Sequence, residues 1–312
     1  MENFKSISIM ILLIAGFLSV SNPAFAENPM RITMEENAVS AHAGSRVLMR
    51  YNYKNVPFKP CVQELFSPRG VNVLRDAPAD HLHHHALMYA IAVDGVNFWE
   101  EQQAPGRQSH RSFANIRIGK RGDVPSASFM ELLNWVNPRS NELMLKEQRT
   151  INVCQPDDFK VTLLSWQSRF GVPSGKESVK LTGSHYFGLG MRFVESMDTG
   201  GTLFNAEGKA GEVVRGSERL VRADWCAYTA KANGKVVTVA MFGHPENLRH
   251  PTQWFTMTKP FAYLSATLNL HREPLKVLSG KPLALCYAVA VWDNRIKEEQ
   301  IEKVYEWWVN SK

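Results

Sequence analysis

Apolar and polar positions alternate with a period of two along much of the chain. In Phe159–Trp166 the apolar Phe159, Val161 and Leu163 face away from the polar Lys160 and Thr162, as in a strand with one side in a core and one in water. Short runs bounded by glycine, asparagine, aspartate and proline predict further strands over Val47–Tyr53, Ala86–Val93, Val96–Trp99, Phe113–Ile118, Leu132–Val136, Glu142–Val153, Asp224–Ala232, Lys235–Phe242, Ala262–Asn269 and Ala284–Trp292. Asp94-Gly95 and Asn233-Gly234 predict two-residue hairpins, because both dipeptides accept the left-handed backbone such turns require. A third hairpin is predicted around Asn137–Asn141. Only Glu298–Val309 changes period: Ile301, Val304, Tyr305 and Trp308 recur at steps of three and four and predict a helix. Many short strands and one terminal helix predict an all-β fold, a large antiparallel β-sandwich with a C-terminal helix. With no internal repeat or long linker, residues 27–312 are expected to form a single domain.

The N-terminus adds an address. Lys5, the apolar run Ile7–Val20 and the small-x-small site Ala24-Phe25-Ala26 read as a signal peptide over residues 1–26, so the mature chain is expected to be secreted, periplasmic or extracellular. No later stretch is apolar for long enough to span a membrane. A formal net charge of +6 without a lysine/arginine block gives no nucleic-acid footprint and slightly favours acidic polysaccharide or a cell surface. The glycines around Gly200-Gly201 and Asn205–Gly211 open no helix, so they read as turns rather than a nucleotide site. Cys61, Cys154, Cys226 and Cys286 fit no zinc-finger spacing; disulfides and buried thiols both stay open.

Candidate chemistry concentrates in Asp80–Glu101, where His81, His83, His84 and His85 run into an apolar strand. Imidazoles bind metals, transfer protons near neutral pH, or orient hydroxyl groups. In an extended tract His81, His83 and His85 share one face and His84 joins Ala86 and Met88 on the other. The turn at Asp94-Gly95 then folds Glu100 and Glu101 back opposite Tyr89 and Met88, a few positions from His85. Arg107 and His110 lie in a polar segment read as a loop. A second loop, Gly243–Trp254, carries His244, Asn247, Arg249, His250 and Trp254, and His271 follows in a later turn.

The segments DHLHHHAL (80–87), DGVNFWEE (94–101), GRQSHRSF (106–113), GHPENLRHPTQW (243–254) and HREPLKVLSGKPLALCYAVAVWD (271–293) resemble, in this order, the secreted bacterial PmoA-like family, catalogued as methane oxygenase PmoA. The likeness covers about residues 60–295 and implies a supersandwich similar to that of sugar mutarotases and polysaccharide lyases. Where the family usually reads DHPHHRGL, His81, His83 and His84 match, while His85 replaces an arginine and Ala86 a glycine. Gly243 stands where the family often has aspartate.

Together these features point first to a carbohydrate-active enzyme, a hydrolase, lyase or epimerase acting on a glycan or sugar derivative. His81, His84, Glu101, His110 and His244 are the candidate catalytic groups. His83, Glu100, Arg107, Asn247, Arg249, His250, Trp254 and His271 are candidate substrate contacts. A divalent metal ion held by His81, His84 and His244 is the cofactor option. The alternative is a non-catalytic glycan-binding protein. A copper-dependent oxygenase, suggested by the family name, ranks third because Glu27, not histidine, begins the mature chain.

Overall fold

A computed structural model describes residues 29–311, and the predicted signal peptide, residues 1–26, lies outside the described residues. Within them the strands form three antiparallel sheets. A ten-stranded sheet runs in the order Met30–Met34, Ala38–Ala43, Arg46–Asn52, Cys61–Leu65, Leu87–Ala90, Gly188–Arg192, Tyr263–Thr267, Gln253–Met257, Arg219–Arg222 and Glu212–Val213. An eight-stranded sheet runs Thr202–Asn205, Trp225–Ala232, Lys235–Gly243, Leu283–Trp292, Thr162–Gly171, Glu142–Cys154, Val124–Asn137 and Arg107–Arg121. Leu275–Leu278, Ser178–Thr182, Ala92–Val93 and Val96–Asn97 make the small third sheet.

The two large sheets face each other across one core, to which the first contributes Tyr51, Leu87 and Tyr89 and the second Phe129, Trp135 and Trp166. This is the expected sandwich. The outer face of the eight-stranded sheet is apolar as well: Leu163, Phe242 and Ala288 pack there against Ile301, Val304 and Trp308 of the terminal helix Glu298–Asn310. Neighbouring residues of one strand therefore enter different cores, Leu163 one and Leu164 the other, which is why the central strands read as continuous apolar runs.

Both two-residue turns are as predicted, with positive φ at Asp94 (46°) and Gly95 (83°), and at Asn233 (49°) and Gly234 (82°). The predicted strand Ala86–Val93 divides. Leu87–Ala90 stays in the ten-stranded sheet, the Ile91 carbonyl accepts the Phe98 N–H, and Ala92–Val93 crosses to the small sheet. The polar segment with Arg107 and His110 is a strand, not a loop: Arg107–Arg121 is the outermost strand of its sheet, where charged side chains guard an open edge. All four cysteines are free thiols. Among the described residues no helix is long and apolar enough to cross a membrane.

Candidate functional site

The histidine tract is not extended. The His81 N–H donates to the Pro78 carbonyl and the His84 N–H to the His81 carbonyl, both at 2.9 Å, so two successive turns carry the chain to the strand at Leu87. His81 and His84, three residues apart, consequently stack with ring centroids 4.7 Å apart and planes at 24°. His83 points the same way, its Nε2 lying 3.4 Å from Glu100 Oε2. His85 is sent to the other side, between Asp76 (2.9 Å) and Glu101 (2.8 Å). The expected grouping of His81, His83 and His85 on one face is therefore corrected: turns, not a pleat, decide which imidazoles meet.

His81, His83 and His84 line a cavity of about 420 Å³ together with Trp99, Glu100 and Tyr186. Its far wall comes from Phe255, Phe261 and Tyr263 on and beside two central strands, and its rim from Arg215–Glu218 and Lys259. Gly190, on the strand beside Tyr263–Thr267, makes this packing possible: a Cβ there would overlap the Tyr263 hydroxyl and the Trp99 ring. The Tyr186 hydroxyl donates to Glu100 Oε1 at 3.0 Å, so Glu100 stands between a phenol and an imidazole. Burial and the neighbouring Glu100 carboxylate push the Tyr186 phenol up to about 12. Glu218 accepts from Arg215 at 2.6 Å and lies 3.2 Å from His185.

Three buried polar atoms of the cavity lining have no hydrogen-bond partner: His84 Nδ1, Trp99 Nε1 and the Tyr263 hydroxyl. Buried polar groups are nearly always paired, and a cluster left open at one place is a mark of a ligand position. His84 stays neutral, its pKa pushed down to about 2 by burial first and then by the neighbouring His83 and His81.

Behind the cavity the backbone of Trp99 and Glu100 is held on both sides. Asn97 Oδ1 accepts the Trp99 N–H (2.8 Å) and the Glu100 N–H (3.1 Å), while Lys59 Nζ donates to the Trp99 carbonyl (3.1 Å) and to Glu101. Glu101 in turn holds His85, which is bonded to Asp76. Burial opposes charge on His85, yet the bonds to Asp76 and Glu101 outweigh it and raise its pKa. Burial works against the Glu101 carboxylate too, and His85 and Lys59 reverse that effect and lower its pKa. The sequence placed Glu101 near His85, and so it is; its carboxylate belongs to this support and not to the cavity lining.

The remaining predicted residues lie elsewhere. His110 bonds Glu131 at 2.7 Å, a buried carboxylate that also takes the Tyr51 hydroxyl. Arg107 is exposed on its edge strand. His244 sits in a separate cleft with Gln148 and Arg169, its ring 5.4 Å from that of Trp308. Asn247 is buried and clamps both backbone groups of Cys286 at 2.7 Å. Arg249 donates to the Leu268 carbonyl, and His250 pairs with Asp224 at 3.1 Å. Trp254, expected as a sugar platform, is fully buried and donates to the Ala223 carbonyl at 2.8 Å. His271 is exposed, 6.0 Å from His185. The set His81, His84 and His244 is therefore not assembled, and among the described residues no three His, Cys, Asp or Glu side chains form a group able to hold a metal ion.

Tyr186, Glu218, Phe255, Phe261 and Tyr263 escaped the sequence reading. Phe255/Met257 and Phe261/Tyr263 are spaced by two, so each pair shares one face of a strand, a signal that could have marked an aromatic wall. A larger cavity, about 850 Å³, opens beside the terminal helix between Arg46, Asp157, Phe159 and Lys303. None of its lining atoms is both buried and unpartnered, so size alone does not make it the site.

No curated protein matches the sequence. Among solved structures, the chain is similar to the galactosidase domain of an alpha-galactosidase-sucrose kinase, with a TM-score of 0.43 at 10% identity; 85% of this chain is covered but only 41% of that one. A galactose mutarotase-like protein from Clostridium acetobutylicum has a TM-score of 0.44 at 11% identity over 86% of this chain and 99% of that one. A galactose mutarotase related enzyme from Lactobacillus acidophilus has 0.37 at 7% over 86% and 100%. A family model matches residues 38–306, and the chain belongs to the family of unknown function DUF6807.

Proposed function

We propose that this protein is a carbohydrate-active enzyme whose substrate is a glycan or sugar derivative held in the pocket of His81, His83, His84, Glu100 and Tyr186. The observation that carries the reading is the meeting of an aromatic wall, three open hydrogen-bonding positions and a phenol–carboxylate–imidazole set in one cavity. Its volume of about 420 Å³ suits one or two sugar rings. Apolar ring faces of a sugar pack on Phe255 and Phe261, and its hydroxyls meet His84, Trp99 and Tyr263. Glu100 is the general base or acid: it takes a proton from the bound sugar or from water, and His83 beside its second oxygen passes that proton on. Hydrolysis, elimination and epimerisation all begin from such a transfer.

Export from the cytoplasm with removal of residues 1–26, and kinship with the PmoA-like proteins, belong to the same reading. The protein purified from its native compartment then begins at Glu27, which intact mass measures directly. The main test is a panel of glycans and monosaccharides followed by product analysis, run beside Glu100→Gln. Turnover abolished by that change supports the assignment. Binding without turnover would move the protein to the non-catalytic alternative, and neither binding nor turnover would sink the carbohydrate reading.

A further inference from the structure

The reading just given leaves the substrate class open, and the inner end of the pocket narrows it. His84, Trp99 and Tyr263, all in the cavity lining, are 6%, 0% and 2% exposed, and each carries a buried polar atom with no partner in the protein. A buried donor or acceptor left unpaired is destabilising, so a ligand that pairs them binds more tightly for it. An indole N–H can only donate, a phenol can donate or accept, and a lone imidazole nitrogen does one or the other. These are the partners of hydroxyl groups, and none of them brings the positive charge that favours a carboxylate or sulfate.

The cations nearby lie outside the cavity lining or stand at its rim. Lys59 is buried against Glu101 and the Trp99 carbonyl. The Arg192 guanidinium lies 3.5 Å from the centroid of Phe261 and outside the cavity lining; its Nη2 pairs with Asp80 at 3.2 Å and Asp198 at 3.6 Å, while its buried Nε and Nη1 have no partner. Arg215 has a side chain 80% exposed and bonds Glu218, and Lys259 is exposed. The lining carries the Glu100 and Glu218 carboxylates, which repel an anion.

We infer that the inner end of the pocket binds an uncharged, hydroxyl-rich ring, the neutral end residue of a glycan, and excludes uronates and sulfated sugars from that position. The inference rests on the carbohydrate reading above and adds to it the charge class of the bound residue.

Saturation-transfer NMR and titration calorimetry on the mature protein test it with methyl glycosides of glucose, galactose and mannose and the matching methyl uronates. At least one neutral glycoside is expected to bind tenfold or more tightly than its uronate. Trp99→Phe, which removes the open N–H, and Tyr263→Phe, which removes the open hydroxyl, are each expected to weaken that binding about five- to tenfold. A uronate that binds as well as or better than its neutral partner overturns this inference and leaves the carbohydrate reading standing. So does unchanged affinity in both variants, with thermal melting to show that they fold. If no sugar of either class binds, both fall together.

Discussion

Two stretches of the chain look alike on paper, Asp80–Ala86 with its four histidines and Gly243–Trp254 with two histidines, an arginine and a tryptophan. Folded, they differ in what their polar atoms do. In the second stretch the side chains hold the protein to itself: Asn247 clamps Cys286, Arg249 reaches the Leu268 carbonyl, His250 pairs with Asp224 through Nε2 while its unpartnered Nδ1 lies away from the histidine-lined cavity, and Trp254 closes on Ala223. In the first, His81 and His84 stack at the wall of a cavity, His83 faces Glu100, and His84 leaves a nitrogen open there. A side chain whose hydrogen bonds are complete within the fold contributes to stability; one left incomplete beside a cavity is available to a ligand. Density of histidine and arginine does not separate the two cases.

The comparison breaks most visibly on activity. Glu100→Gln is expected to lower kcat/KM by about 10²–10⁴ with little change in melting temperature, the usual span for losing a general acid or base. His244→Ala should stay within about twofold in the same assay, and an equal loss in both would erase the distinction drawn here. Next in size is Asn247→Ala, which strands the Cys286 N–H, the Cys286 carbonyl keeping its bond from the His244 N–H, and should cost about 1–3 kcal/mol in urea unfolding while sparing sugar binding. Two of the fully buried tryptophans, Trp99 and Trp254, give a finer test. Both changes to Phe remove the same buried ring volume, but Trp254→Phe also leaves the Ala223 carbonyl unpaired and should destabilise by about 1–3 kcal/mol more than Trp99→Phe, which deletes an N–H that had no partner.

The smallest effect is a dependence on pH, and adjacent residues set it in opposite directions. His84 resists protonation in the fold, so the unfolded chain takes up its proton first. Stability from His84 is therefore complete above the ordinary value of 6.5 and declines as pH falls below it, by less than the one-proton slope of about 1.4 kcal/mol per unit. His85 has a raised pKa: its contribution is complete below 6.5 and is lost as pH rises through that higher value. Urea midpoints across pH 5–8 should flatten at the acid end in His84→Phe and at the alkaline end in His85→Asn. A variant with the parent's profile would remove its histidine from this account.

Strand positions were largely readable because a buried face imposes its period on the residues that form it. The runs at Lys235–Gly243 and Leu283–Trp292 and the helix at Glu298–Asn310 agree with their predicted spans to within a residue. The edge strand Arg107–Arg121 was read in part as a loop because an outermost strand needs charges that mimic loop composition. Ala86–Val93 was read as one strand because apolar content is the same on either side of Ile91; only the competing bond from Phe98 divides it.

For the site, local sequence determined that His81, His83, His84 and Glu100 would lie close along the chain, and that a turn at Asp94-Gly95 would return Glu101 toward His85. Such contacts span few residues and depend on turn chemistry, which short segments encode. The opposite wall depends on none of this. Tyr186, Glu218 and Tyr263 reach the cavity from far along the chain, and Tyr263 does so past a glycine on the neighbouring strand. Which polar atoms end without a partner is likewise a property of every surrounding group at once, so the unpartnered positions on His84, Trp99 and Tyr263 were decided only by tertiary packing on the face of the ten-stranded sheet turned away from the sandwich core.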